Sequence, residues 1–259
     1  DIVRVPPIRV PQKRDLVPRA APISDDTLPI LFEDEHLLIV DKPAGLACHG
    51  GSGIAFGLIE RLRASRPNQP FLELAHRLDR DTSGAIIVCK SRKALVRLQK
   101  SMREGGIEKH YRTLVKGDWV NDRQHVKLPL FKYVTKEGER RVRVDPEKGV
   151  PSHSIFTLIR RYGDVSFLDV ELLTGRTHQI RVHAAESGHP LVGDDKYGDF
   201  DFNREVSKGL LGIPFRRMFL HSYSLAFEHP VTHEKMKIES PLPEACEELI
   251  RVLNERKTV

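Results

Sequence analysis

Apolar side chains recur along this chain in two rhythms, and the switches between them predict its elements. Residues 30–33 and 37–41 read as short strands around the turn Asp34-Glu35-His36, and Pro43 stops the second. Residues 56–66 change to helical spacing, with Phe56, Ile59, Leu62 and Arg63 a turn apart. The apolar run 85–89 predicts another strand. Ser91 then offers an N-cap for a helix to about Arg103, with Leu95 and Leu98 inward and Gly105-Gly106 ending it. Further strands are predicted over 109–115, 154–160, 166–173, 219–227 and 235–239. Helices are predicted over 177–186, closed by Gly188, and over 244–254, packing through Leu249, Ile250 and Leu253. Strands outnumber helices, and the helices fall singly between groups of strands. This predicts an α+β fold, a mixed and mostly antiparallel sheet flanked by helices, rather than strict strand–helix alternation.

Neither rhythm reaches residues 1–27, where Pro6, Pro7, Pro11, Pro18 and Pro22 predict an extended linker or arm ahead of one domain over 28–259. The chain opens on Asp1 rather than Met, so a fragment or processed form is expected. With 259 residues, 39% of them hydrophobic, it can bury a sizeable core. No apolar run approaches the roughly 20 residues of a membrane span, and no secretory leader pattern opens the chain. Cys48, Cys89 and Cys246 are far apart and form no CxxC pair, which fits reduced thiols in a cytoplasmic protein. The net charge of +6 is mild, but its distribution is not. From Lys90 to Lys116, nine lysines and arginines face only Glu104 and Glu108. That stretch is either a solvated helix face or a phosphate-contacting surface, with Arg92 and Arg97 as candidate contacts.

Two segments carry candidate chemistry. In His76-Arg77-Leu78-Asp79-Arg80-Asp81-Thr82-Ser83-Gly84, ionisable side chains crowd a turn that leads into a strand. Asp79 either caps that turn or acts as a catalytic carboxylate on a loop delivered by a strand end. In Thr174-Gly175-Arg176-Thr177-His178-Gln179-Ile180-Arg181-Val182-His183, the spacing argues against zinc. On a helix His178 and His183 point about 140° apart. Thr177 and Arg181, at i and i+4, are expected to share a helix face. An inward arginine needs an anionic partner, and that partner is either a structural carboxylate or a catalytic one. Asp41-Lys42-Pro43-Ala44-Gly45 alone reads as a turn, and Tyr111 of Lys109-His110-Tyr111 alone reads as core. Gly50-Gly51-Ser52-Gly53 lacks the Lys-Ser/Thr of a phosphate-binding loop.

Together these segments resemble the RluA family of pseudouridine synthases. HRLDRDTSG at His76–Gly84 resembles its catalytic signature, TGRTHQIRVH at Thr174–His183 its second, and DKPAG at Asp41–Gly45 its leading one, in order and with a Lys-x-Tyr between. The resemblance implies Asp79 as catalytic aspartate, Arg181 as its partner, and Tyr111 as the residue that stacks on the target base, with action as a proton acceptor as its other expected role. It implies Arg77 as support for RNA opened by base flipping and Leu220 as an apolar contact to the uracil, with His76 and Arg176 also on the RNA side. It implies no metal and no cofactor. Val5-Pro6-Pro7-Ile8-Arg9-Val10 and His49–Gly53 are similar to the RluC branch, which modifies bacterial large-subunit ribosomal RNA and carries an upstream S4 domain. Ribosomal RNA is thus the expected partner, with no membrane and a monomeric state. Transfer RNA, or a non-catalytic role in ribosome assembly, stays as the alternative.

Overall fold

The computed structural model describes residues 28–51 and 56–256, so the arm over 1–27 and part of the Gly50–Gly53 run lie outside the described residues. β1 (Ile30–Glu33) and β2 (Leu37–Lys42) form the expected hairpin. Asp34 Oδ1 accepts the N–H groups of His36 and Leu37 in its turn, each at 2.7 Å. α1 (Leu58–Ser65) follows, with Glu60 accepting the Gly57 N–H at 3.0 Å. β3 (Glu73–Leu74) and β4 (Ser83–Cys89) bracket the loop over residues 75–82. α2 (Arg92–Arg103) starts at the expected cap, Ser91 Oγ accepting the Ala94 N–H at 3.2 Å. Then come β5 (Ile107–Lys116), β6 (Arg123–Val126), β7 (Leu130–Val134), β8 (Arg140–Val144), β9 (Ser154–Arg161) and β10 (Val165–Leu172). α3 (Gln179–Glu186), α4 (Phe200–Val206), β11 (Leu220–Glu228), β12 (Lys235–Glu239) and α5 (Glu244–Glu255) complete the chain.

Ten strands join one sheet in the order β1-β2-β4-β11-β5-β10-β9-β6, with β3 added to β4 and β12 to β11. Every pairing is antiparallel except β4 with β11. The fold is α+β, as expected. β7 and β8 stand apart as a two-stranded hairpin. The lone parallel contact has a steric cause. Gly84 runs so close to β11 that an added Cβ would sit 2.3 Å from the Ser222 carbonyl oxygen, and its φ of +110° suits glycine. The loop before β4 is thereby held against the start of β11.

Alternation along β2 and β4 divides the core. Leu38, Val40, Ile86 and Val88 share one cluster with Leu78, Tyr111, Ile180 and Leu220. Leu37, Ile39, Ala85 and Ile87 face the other way and pack with Ala94 and Leu98 of α2. The basic helix therefore lies on the opposite face of the sheet from Tyr111.

Candidate active site

The first signature folds as a clamped loop. His76 Nε2 accepts the Ile87 N–H at 3.1 Å, which ties the loop to β4. Burial holds the His76 imidazole down to about 4, so it stays neutral and structural. The ring is half-buried and its Nε2 is used in anchoring the loop. Cys48 accepts the Leu78 N–H at 3.3 Å and donates to the Leu78 carbonyl at 3.2 Å. The fully buried Lys42 reaches across from the leading motif. Its Nζ donates to the carbonyls of Arg80 at 3.0 Å, Leu46 at 2.8 Å and Pro43 at 2.9 Å. Burial lowers its ammonium to about 8, opposed by the charges of Cys48, Asp81 and Asp79. Asp41–Gly45 is more than a turn: Lys42 Nζ and the Gly45 N–H both bond the Arg80 carbonyl just after Asp79, while Cys48 holds Leu78 just before it.

Asp79 does not cap the turn; its carbonyl accepts the Thr82 N–H at 3.2 Å, leaving its carboxylate free of that role. The side chain is 26% exposed, with Arg181 Nη1 at 3.4 Å and His178 Nε2 at 3.9 Å. Arg181 rises from α3 and is nearly wholly buried. Its firmest partner is Asp194, which accepts from Nε at 2.7 Å and from Nη2 at 2.6 Å. Asp195 adds a contact to Nη2 at 3.2 Å. The arginine thus has two kinds of carboxylate partner: the buried Asp194, and the part-exposed Asp79 on its remaining side. Burial alone would raise the Asp194 carboxyl, but its bond with Arg181 and that guanidinium's charge keep it below the usual range. Burial disfavours the Arg181 charge too, and the three aspartates more than offset it.

α3 begins at Gln179, two residues later than expected. Thr177 therefore precedes the helix and does not share its face with Arg181. The cause is His178, whose left-handed backbone (φ 53°, ψ 21°) stops helical geometry there. The two histidines diverge as expected: His183 bonds Ser152 and Ser154, whereas His178 bonds Tyr197.

Tyr111 comes up from β5 beside Leu220, both buried in the same cluster as Leu78. Burial raises the Tyr111 hydroxyl well above its ordinary value, against a bond with Ser222, and the Asp79 charge raises it further. The group is a neutral O–H at any ordinary pH. Arg77 is exposed beside Asp79, and among the described residues its guanidinium has no hydrogen-bonded or ion-paired partner. Arg176 is exposed and donates to the Pro151 carbonyl at 3.3 Å. Arg92 and Arg97 are not brought to the site, since the sheet intervenes, and Arg97 is tied to the Pro230 carbonyl at 2.7 Å.

Three loops and two strands of one sheet face thus converge on an accessible carboxylate flanked by a buried guanidinium, an imidazole and a tyrosine. A family profile described as RNA pseudouridylate synthase matches residues 36–186, which contain Asp79, Tyr111 and Arg181. The chain belongs to the RNA pseudouridylate synthase family. As a pseudouridine synthase it is an isomerase acting on RNA. Ribosomal large subunit pseudouridine synthase C of Salmonella typhimurium is 44% identical over 259 residues, 99% of this chain and 80% of that one. The Pasteurella multocida protein of the same name is 46% identical over 260 residues, 100% of this chain and 78% of that one. Among solved structures, Human RNA Pseudouridylate Synthase Domain Containing 1 superposes with a TM-score of 0.68 at 26% identity, covering 91% of this chain and 98% of that one.

Sequence reasoning missed Asp194, Lys42, His178 and Tyr197 as parts of this synthase site. Lys42 lay within a quoted motif and His178 within another. Asp194 and Tyr197 sit in Gly193-Asp194-Asp195-Lys196-Tyr197-Gly198, a polar run whose paired acids ahead of a tyrosine were the signal available.

Proposed function

We propose that this synthase isomerises uridines of bacterial large-subunit ribosomal RNA, with Asp79 as the catalytic carboxylate and the target nucleotide flipped into the pocket. The observation that carries the reading is Arg181, buried and held through Nε and Nη2 by Asp194, extending Nη1 to the part-exposed Asp79. Converting uridine to pseudouridine breaks the C1′–N1 bond, turns the uracil and rejoins it through C5. Asp79 serves either as nucleophile or as base toward the sugar. Neither route moves a phosphoryl group or changes redox state, so this chemistry calls for no metal or cofactor. The base must leave its stack, which costs a few kcal/mol, offset by stacking on Tyr111 and apolar contact with Leu220. The raised Tyr111 hydroxyl favours a stacking and donor role over that of a base. Arg77, exposed and unpaired, suits the gap left in the RNA, and Arg176 suits a phosphate near the pocket rim.

The β7–β8 hairpin widens the RNA surface. Arg143 lies 5.6 Å from the Phe131 ring and 5.7 Å from the Tyr133 ring, an aromatic and guanidinium face of the kind single strands stack on. β8 docks beside α3, and Lys196, in the loop that carries Asp194, pairs with Glu139 of the hairpin at 2.7 Å. A contact by Arg92 or Arg97 would meet RNA remote from the target nucleotide. We infer a monomer, and a ribosomal RNA substrate suits an enzyme of the cytoplasm. Primer-extension mapping of pseudouridine in cells lacking the gene tests the substrate. Large-subunit sites should vanish and return on complementation; loss of transfer RNA sites alone would overturn this assignment.

A further inference from the structure

His178 is one of two non-glycine residues with positive φ among the described residues. An imidazole-bearing residue held left-handed costs on the order of 1 kcal/mol, and such positions concentrate at functional sites. Its surroundings fix more than its backbone. Tyr197 Oη accepts the Val142 N–H at 2.9 Å, so its own proton is available for a second partner. That partner is His178 Nδ1, at 2.7 Å. Tyr197 is half-buried, and leaving its hydroxyl proton unbonded beside a ring nitrogen at 2.7 Å would be costly, so Tyr197 donates and Nδ1 accepts. The neutral ring then carries its proton on Nε2, which faces Asp79 Oδ1 at 3.9 Å. The Asp79 carboxylate selects the same tautomer independently, because it repels a bare lone pair.

From this geometry we infer that His178 is a positioning residue for the reaction, presenting Nε2–H to Asp79 Oδ1 while Arg181 holds Oδ2. The two donors orient the carboxylate from both oxygens, and the Val142–Tyr197–His178 chain sets the direction of the imidazole. The present gap is about 1 Å longer than a hydrogen bond, a slack that catalytic groups commonly take up when substrate binds. Burial lowers the His178 imidazole, against the attraction of Asp79, which keeps it a neutral donor rather than a second cation. Arg181, Lys196 and Asp194 are the other charged groups facing it.

The inference rests on Asp79 being the catalytic carboxylate. Its test compares His178→Gly with His178→Gln in single-turnover assays on substrate RNA, with RNA affinity measured in parallel. Glycine relieves the left-handed strain, so folding should survive or improve. Glutamine carries an amide N–H as many bonds from Cα as Nε2. The glycine variant should react about tenfold to a hundredfold more slowly, the usual scale for one lost bond to a charged group. Its RNA affinity should stay within about threefold of wild type, and glutamine should recover part of the rate. A glycine variant at the wild-type rate overturns the inference, as does glutamine no faster than glycine, or a loss seen in affinity alone. An active Asp79→Asn enzyme would instead sink the reading beneath it, which separates the two failures.

Discussion

Beneath the pocket, Arg181 is shared by a fully buried carboxylate, Asp194, and a part-exposed one, Asp79. Asp194 also accepts the N–H groups of Lys196 at 2.8 Å and Tyr197 at 3.0 Å, so it fixes the loop that carries the tyrosine. Removing its charge leaves Arg181 underpaired in a dry site. Asp194→Asn should therefore lower unfolding free energy by about 3–5 kcal/mol in denaturant melts; a loss under about 1 kcal/mol would show the pair to be dispensable. Asp79 and Arg181 stood out in the sequence because each sits in a contiguous charged run, whereas Tyr111, which alone reads as core, was singled out only by the family resemblance. Asp194 did not stand out, because its importance arises only when α3 swings Arg181 over it, and an acidic side chain in a polar run carries no mark of that approach. Thr177 was misread for a related reason: helical spacing cannot reveal a left-handed residue at the helix entrance.

Among elements, the β5–β10 pair carries a titratable link on the sheet. His110 bonds Asp169 at 2.6 Å and Glu108 at 2.8 Å. The Asp169 bond is the main cause that raises its imidazole to about 9, working against burial. A group raised in the folded state stabilises fully below its unfolded value of about 6.5, and the contribution fades as pH climbs through about 9. Wild-type stability should thus fall across that window by roughly 1–2 kcal/mol, discounted for partial exposure. His110→Gln should flatten the slope; an unchanged slope in thermal melts from pH 6.5 to 9 would rule the link out. The apolar strands β2, β4, β10 and β11 were legible because their faces are buried. β8 was missed because arginines dominate it, as in Arg140-Arg141-Val142-Arg143-Val144, and β6 and β7 because they are short, at four and five residues. Gly138, with φ +84° in the turn between β7 and β8, was the hairpin signal that could have revealed them.

At the scale of the whole molecule, the sheet sorts function by face. One face gathers Asp79, Tyr111, Leu220 and α3, and the other is covered by α2 with its basic residues. Charge counting found the helix but could not assign it a side, since that depends on the alternation of β2 and β4 in three dimensions. The α+β class was legible because strands grouped around single helices. The parallel contact of β4 with β11 was not, since it depends on Gly84 meeting Ser222 across 138 residues of chain. All of this architecture converges on one carboxylate. The most direct measurement is tritium release from RNA labelled at uridine C5, catalysed by Asp79→Asn enzyme whose melting temperature matches wild type. The account predicts no release above background together with retained RNA binding; release at the wild-type rate would contradict it.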